Sequence, residues 1–500
     1  MPVGVVPLVL GAAALLYYFA AKSKRHPPGP RPLPIIGNLL QMPKDYEWKT
    51  FAEWTKAQFG PKKYGDCVYV QILGQPIVIL GSLSAAHDLL SQRSAIYSSR
   101  PRLVMAGELA GFAQAMPLMP YSSHFNALRR LIHKELTGTV LQKYWSLHED
   151  ESRLLMDKVL ASPDEFLDSI RHYSGSVILR VTYGYQTASK NDKFLVLAER
   201  VTRAFSSAAK PGAWAVDILP WLRHLPSWLP GTGFKRVAAQ WNRMHLDVVQ
   251  GPYDWALENQ DSLDLIRPNF VSTMLSQSVD PLIQNERELL LWASGSLFGG
   301  GADTTVAAIS SFFLAMALFP EVQSAAQAEI DRVIPTGRLP ELADRPNLPY
   351  VECVMRETLR WNPIVPLGLP HMSVKDDVYG SYHIPAGSII MVNIWSILRD
   401  PAVFPDPVEF RPERFLNNTR ARDVTSSVFG FGRRSCPGIH FAEASMFIAI
   451  ATALSRCTIS NATDGQGHAI GKDVEYRTGT LSHPKPFRCE ISPRARSSGM

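Results

Sequence analysis

Five hundred residues, at roughly 150 per domain, leave room for up to about three domains. The chain is 46% hydrophobic and 19% charged, with 38 prolines and 33 glycines. This excludes collagenous, coiled-coil and disordered architectures and leaves a globular chain able to enclose a ligand in a large core. Lys and Arg outnumber Asp and Glu by 51 to 45, a net charge of +6 with no long basic run. Nucleic acid is therefore excluded as the principal ligand, and an acidic protein partner or an anionic membrane surface fits better.

The first segment, PVGVVPLVLGAAALLYYFAA at 2–21, contains no charge and is followed at once by Lys22, Lys24 and Arg25. Twenty residues make a helix of about 30 Å, the thickness of a bilayer core. A cleavable signal peptide carries its charges before the apolar run; here they come after it. The sequence predicts one transmembrane helix within 1–21, with the N-terminus luminal and the rest cytosolic, because basic residues stay on the cytosolic side. That orientation leaves the sequons at Asn417 and Asn461 unglycosylated. The basic and proline-rich stretch 22–40 carries Pro27, Pro28, Pro30, Pro32 and Pro34 and reads as a stiff, extended neck. Residues 41–500 form the head.

Within the head, Cys67–Leu80 alternates and turns at Gly74-Gln75, a β-hairpin. A second β region covers Val378–Trp395, broken at Pro385-Ala386-Gly387. Helical periodicity marks 85–92, 125–136, 148–160, 166–183, 194–208, 234–258, 286–318, 320–333, 351–362 and 440–455. The prediction is a mainly α fold with a small antiparallel β portion. The helix over 286–318 would be about 50 Å long and must cross the whole molecule.

Five cysteines, Cys67, Cys353, Cys436, Cys457 and Cys489, are too scattered for a disulfide framework or a zinc site. Cys436 stands apart. It lies in VFGFGRRSCPGIHFAEA at 428–444, where Gly430, Gly432 and Gly438 give side-chain-free backbone and Pro437 leads into a helix. Backbone N–H groups, a helix N-terminus and nearby Arg434 all favour a thiolate there. Such a sulfur suits a soft metal held from one side, as haem iron is, since the porphyrin supplies four ligands.

Two further motifs stand out. Gly299-Gly300-Gly301-Ala302-Asp303-Thr304-Thr305 lies inside the long helix, where each glycine costs roughly 1 kcal/mol against alanine. The reading is a locally widened helix that a flat ligand approaches closely at Gly301, with Asp303 and Thr304 as an acid and a hydroxyl able to relay protons. Glu357-Thr358-Leu359-Arg360 alone reads as a surface ion pair of little value; Arg414 in Pro412-Glu413-Arg414-Phe415 adds a second cation to it.

FGFGRRSCPG resembles the haem-binding loop of the cytochrome P-450 family of haem-thiolate monooxygenases, matching Phe-x-x-Gly-x-Arg-x-Cys-x-Gly at Phe429, Gly432, Arg434, Cys436 and Gly438. GGADTT at 300–305 resembles the family's oxygen-binding helix motif, ETLR at 357–360 its Glu-x-x-Arg motif, and PERF at 412–415 the loop completing that triad. The stretches 370–388 and SHPKPFRCEISPR resemble fungal microsomal members. The resemblance implies the cytochrome P-450 fold, haem b as cofactor and Cys436 as the iron ligand. It further implies that Phe429, with Gly430 and Gly438, shields the sulfur, that Arg434, Arg129 and His371 meet haem propionates, and that Glu357, Arg360 and Arg414 form a structural triad. Positions 125 and 126, commonly Trp and Arg in the family, are Phe125 and Asn126, which weakens the expected propionate grip.

The activity implied is insertion of one atom of dioxygen into an apolar molecule. Electrons would come from NADPH through a separate cytochrome P-450 reductase, with cytochrome b5 as a further donor, at the endoplasmic reticulum membrane. Asp303 and Thr304 are the catalytic residues. By family position the pocket is lined by Met116, Leu118, Phe205, Phe298, Ala302, Val365, Leu367 and Leu481, which suits a terpenoid, polyketide, aromatic or xenobiotic. Two alternatives stay open: an isomerase or dehydratase acting on peroxides, and a haem-binding sensor or carrier without turnover.

Overall fold

The computed structural model describes residues 25–55, 64–188, 190–210, 212–262, 264–277, 284–462 and 475–494. The expected membrane helix at 2–21 and Thr463 of the second sequon lie outside these residues. Among those described, the α-helices of seven residues or more are α1 (Glu47–Thr55), α2 (Ser123–Glu135), α3 (Trp145–Ala161), α4 (Phe166–Tyr183), α5 (Lys193–Ala208), α6 (Phe234–Glu258), α7 (Phe270–Ser276), α8 (Gln284–Leu318), α9 (Pro320–Val333), α10 (Pro349–Trp361), α11 (Thr419–Thr425) and α12 (Ile439–Arg456). Their starts follow from local chemistry. Ser122 accepts a hydrogen bond from Phe125 N at the start of α2, and Asp192 caps α5 through Phe194 N and Leu195 N. Both are capping residues that satisfy otherwise unpaired amides. Pro320 and Pro349 open α9 and α10, where a missing N–H costs nothing.

The β portion is small but not wholly antiparallel. Strands β1 (Cys67–Ile72) and β2 (Gln75–Leu80) form the expected hairpin, and β3 (His371–Met372) pairs antiparallel with β6 (Ile389–Val392). However, β2 and β6 are parallel, with Ile77 opposite Ile389. A connection of some three hundred residues separates these two strands in sequence, so no local pattern could reveal their direction. The remaining strands, β4 (Asp377–Tyr379) with β5 (Tyr382–Ile384) and β7 (Cys457–Asn461) with β8 (Cys489–Pro493), make two antiparallel ribbons.

Residues 25–40 do not stand off the head as a neck. Tyr69 N of β1 donates to Pro28 O at 3.1 Å, His26 stacks on Tyr69 at 4.5 Å, and His383 N donates to Arg25 O at 2.7 Å. A Cβ on Gly29 would come within 1.9 Å of Tyr69 O, so only glycine lets the chain lie this close. The prolines stiffen a strap pressed on the sheet.

Helix α8 is the axis of the molecule: 35 residues, about 52 Å at the usual rise. It packs against α4 along one side and against α2, α6 and α12 on others. Among the described residues, Glu286–Leu318 is the helix long and apolar enough to cross a membrane, but 72% of its most apolar window is buried inside the head. An all-round apolar helix buried in a large core needs no bilayer.

Candidate functional site

The cavity beside α8 is built from several separate pieces of chain. Its floor is the loop carrying Cys436. Cys436 N donates to Phe429 O at 2.7 Å, closing the loop, and Gly430 adopts φ +80. At Gly432, with φ +53, a Cβ would lie 2.3 Å from Leu90 O; both glycines are dictated by backbone geometry. Gly438 is different. A Cβ there would meet Cys436 Sγ at 3.9 Å, an ordinary contact, so the protein itself leaves room for it. What a side chain at 438 would occupy is the space beside the sulfur.

The opposite wall is the glycine-rich part of α8. The helix runs through 299–303 without interruption as regular α-helix, so the expected widening is corrected. The opening comes from absent side chains. A Cβ on Gly299 or Gly300 would meet nothing within 4 Å, and Gly300 lines the cavity. Gly301 also lines it, but a Cβ there would strike Ile178 Cγ1 of α4 at 2.8 Å. Close helix packing therefore fixes Gly301, and the Ser174 hydroxyl bonds its carbonyl at 2.9 Å. The Thr304 hydroxyl donates to Gly300 O at 2.7 Å and faces the cavity. Thr305 faces it too.

Between floor and wall lies a cavity of about 300 Å³. One end is ringed by Arg100, Arg129, Arg434 and His371. The guanidinium of Arg434 donates to Ser98 O at 2.6 Å and Met119 O at 2.7 Å. That of Arg100 donates to Pro117 O at 2.9 Å, Leu369 O at 2.7 Å and Pro370 O at 2.8 Å. Arg129 holds Ser435 through its carbonyl at 2.7 Å and its hydroxyl at 3.0 Å. Among the described residues none of the three has a carboxylate partner. Burial consequently pulls Arg100 down to about 9 and Arg434 to about 10. Buried cations without counter-ions are costly, and this end of the cavity calls for a dianionic or twice-anionic ligand edge. His371 donates through Nδ1 to Tyr97 O at 2.8 Å; burial, with Arg100 and Arg434 near, holds its pKa well below the ordinary value. Its Nε2 is thus an acceptor until an anion offsets the two arginines.

Cys436 Sγ borders the cavity. Burial raises its pKa, while the Gly438 N–H and the charge of Arg129 lower it. A metal cation over the sulfur would settle that contest in favour of the thiolate. The donor set is one sulfur, with no cluster of three or more His, Cys, Asp or Glu able to hold a metal among the described residues. A cavity with one cysteine sulfur on its floor, glycine backbone on the opposite wall and arginines at one end fits a porphyrin with two carboxylates.

The triad is a buried structural unit and not a surface pair. Arg360 Nε and Nη2 donate to Glu357 at 2.6 and 2.9 Å, and both side chains are 0% exposed. Arg414 Nε reaches Glu357 Oε1 at 3.1 Å, and Arg411 N donates to the same oxygen at 2.7 Å. The spare guanidinium hydrogens bind Leu398 O, Pro407 O, Glu409 O and Pro405 O. The triad ties α10 to the segment leading into the Cys436 loop.

Of the expected pocket residues, Met116 and Val365 are on the cavity wall. The other six do not border this cavity. Phe298 packs edge-on against Tyr183, Phe205 against Phe112, and Leu367 joins the cluster around Val68 and Met391. Leu118 and Leu481 are off the wall, and Ala302 opens with Asp303 into a separate groove along α4 and α5. Asp303 is therefore not beside Thr304 in the cavity; it pairs with His483, Nε2 to Oδ2 2.9 Å. Sequence reasoning missed Arg100, Ser296 and His483, none of which sits in a recognisable spacing.

A cytochrome P-450 family model matches residues 27–490. The chain is 41% identical over 490 residues to cytochrome P-450 monooxygenase claR of Ampulloclitocybe clavipes, covering 97% of this chain and 89% of that one. It is 41% identical over 498 residues to cytochrome P-450 monooxygenase 208 of Postia placenta, covering 98% and 95%. It is 39% identical over 501 residues to cytochrome P-450 monooxygenase ple1 of Rhodocybe pseudopiperita, covering 98% and 94%. With a single cysteine on the floor of a cavity edged by arginines that have no carboxylate partner among the described residues, and relatives matched over nearly their whole length, this chain belongs to the cytochrome P-450 family of haem-binding monooxygenases.

Proposed function

We propose that the protein is a membrane-anchored haem-thiolate monooxygenase that oxidises an apolar natural product or xenobiotic of terpenoid, polyketide or aromatic type. Its cofactor is haem b, and NADPH-cytochrome P-450 reductase delivers the electrons, with cytochrome b5 as an accessory donor. The observation that carries this reading is the cavity itself: Cys436 Sγ on the floor, Gly300 on the opposite wall, and Arg100, Arg129 and Arg434 at one end. Bound there, the haem iron supplies the dioxygen chemistry.

The chain's residues then have distinct tasks. Cys436 holds the iron, and Phe429, Gly430 and Gly438 keep the space around the sulfur narrow and dry. Arg434, Arg129 and Arg100 neutralise the propionates, and His371 joins them as a donor once those charges are present. Met116, Leu297, Ile364 and Val365 give an apolar surface that desolvates and orients the substrate. Thr304 keeps a hydroxyl on the cavity side of α8, where it holds a proton-bearing water in place, and Asp303 supplies protons from the adjoining groove.

Exposed apolar residues support the membrane reading: Ile35 is 90% exposed, Leu40 74%, Trp221 58% and Trp228 79%. Such rings suit the headgroup layer, and they add a second contact to the anchor at 1–21, with the head in the cytosol at the endoplasmic reticulum. Exposed Arg130 and Lys134 on α2 and Arg433 beside the Cys436 loop support docking of an acidic electron donor on that face.

Two measurements test this. NADPH consumption that requires reductase and dioxygen supports a monooxygenase; turnover of hydroperoxides alone, without NADPH, points to an isomerase or dehydratase, and neither to a carrier. Screening apolar compounds for the spin-state shift of the haem identifies the substrate class.

A further inference from the structure

Consecutive residues of α8 open into different compartments. Thr304 lines the cavity above Cys436, and Asp303 lines a groove of about 560 Å³ whose walls include Lys158, Asp168, Arg171 and His172. One residue along a helix turns the side chain by about 100°, enough to separate them. The groove's cations are engaged elsewhere: Arg171 with Asp168, Lys190 with Glu165 at 3.9 Å, and Lys158 Nζ with His172 Nδ1 at 3.1 Å. Among the described residues, the hydrogen-bond partner of the Asp303 carboxylate is His483, with side chains 23% and 21% exposed.

His483 is held firmly. Arg477 N donates to its carbonyl at 2.7 Å, and Ser482 N donates to Ile364 O at 2.8 Å. Tyr476 bridges to Pro484, and its hydroxyl reaches Ser311 Oγ of α8 at 3.5 Å. The segment is thus tied to α8 at Asp303 and again at Ser311, about 12 Å further along the helix axis.

We propose that His483 is the residue through which solvent protons reach Asp303. This rests on the reading of Asp303 and Thr304 as a proton relay. A carboxylate only accepts, so the Nε2 of His483 carries the hydrogen in their bond. Nδ1 is then the bare nitrogen, and it has no partner among the described residues. A proton donated from solvent forms an N–H bond at Nδ1 while the Nε2–H bond breaks and an O–H bond forms on Asp303 Oδ2. The protonated carboxyl then turns about its side-chain bonds toward Thr304, and the ring returns to its starting tautomer when Nε2 takes a proton from water and Nδ1 gives its own up to water. His483 acts through Asp303 and is a positioning and proton-entry residue, not a contact of the substrate.

The test uses the full chain, loaded with haem and reconstituted with a flavoprotein reductase and NADPH. His483→Gln keeps an N–H aimed at the carboxylate but no nitrogen that takes up a proton; His483→Leu keeps neither. The expected result is NADPH consumption slowed about tenfold or more in both variants, with an altered solvent deuterium isotope effect. The C–O stretch of the carbon monoxide adduct, which senses charge near the cavity without turnover, stays at the wild-type position in His483→Gln and shifts in His483→Leu, where Asp303 is released. A His483→Gln protein with wild-type rate and isotope effect overturns the proposal and leaves the pair as a tether. If Asp303→Asn is slowed while both His483 variants are not, the relay stands and protons enter elsewhere. If Asp303→Asn also turns over normally, the relay reading fails, and this proposal with it.

Discussion

The guanidinium of Arg434 lies 3.8 Å from the centre of the Phe125 ring, face to face with a side chain that the family usually replaces with tryptophan. Phenylalanine offers an anion no hydrogen bond, but its π face still stabilises the buried Arg434 cation, which we propose meets a propionate. Cation–π contacts are worth about 0.5–2 kcal/mol. Phe125→Leu should therefore speed haem transfer to apomyoglobin by between about 2-fold and about 30-fold, and Phe125→Trp should match or slow the wild-type rate. Equal rates for all three proteins would mean that the ring does not support Arg434.

The buried triad makes a sharper demand. Glu357→Gln leaves Arg360 as an unpaired cation at 0% exposure, a change that costs roughly 3–5 kcal/mol. The expected outcome is a large drop in the urea midpoint and little haem-loaded protein. Arg414→Lys, which keeps the charge but loses the forked bonds to Pro405 O and Glu409 O, should cost less. A Glu357→Gln protein of wild-type stability would return the pair to the surface-like role its sequence spacing suggests.

Legibility in the sequence followed the range of the interactions. Helices with long periodic patterns, such as α4 and α6, stood where the apolar spacing put them, because that spacing is the core-facing stripe. The Cys436 loop was legible because Gly430 and Gly432, both at positive φ, and Pro437 suit the local backbone of the turn. The parallel pairing of β2 with β6 was not, since it depends on the path of all the chain between them. Nor was the function of Gly301, which answers to Ile178 on another helix. Phe298 and Ala302 lie on the long helix within one turn of Gly300, yet Phe298 faces Tyr183 of α4 and Ala302 the groove along α4 and α5, neighbours that the sequence of α8 does not reveal. Asp303 and Thr304 read as a contiguous pair, and the turn of about 100° between them opens them into different cavities.

Thr304→Ala should retain haem and consume NADPH but release a larger share of it as hydrogen peroxide, because the hydroxyl that holds the proton-bearing water is gone. The measurement is product and peroxide formed per NADPH. Since Thr305 also lines the cavity, Thr305→Ala is expected to alter substrate binding without raising peroxide. Peroxide release from Thr305→Ala alone would move the role to that hydroxyl.

Acid should destabilise the fold through its buried histidines. His148 is fully buried against Phe441, with Nδ1 3.0 Å from Ser445 Oγ and Nε2 unpartnered among the described residues, and burial pushes its pKa from 6.5 down to about 3. The unfolded chain therefore binds the extra proton between those values. Its contribution is fully present above pH 6.5 and is lost as the pH falls toward 3, by about 1.4 kcal/mol per pH unit. His148→Phe should make the decline in unfolding free energy between pH 6.5 and pH 5 shallower by that amount. An unchanged slope would show that this histidine is not buried neutral.

The account stands or falls on one sulfur. Among five cysteines, Cys436 alone borders the cavity, and the others are all off its wall. The direct measurement is the absorption spectrum of the dithionite-reduced protein under carbon monoxide, for wild type and Cys436→Ser side by side. A thiolate-ligated haem gives the wild type a strongly red-shifted Soret band, and Cys436→Ser, whether it keeps haem or loses it, lacks that band. The same red-shifted band in Cys436→Ser would contradict the assignment and send the iron to another cysteine.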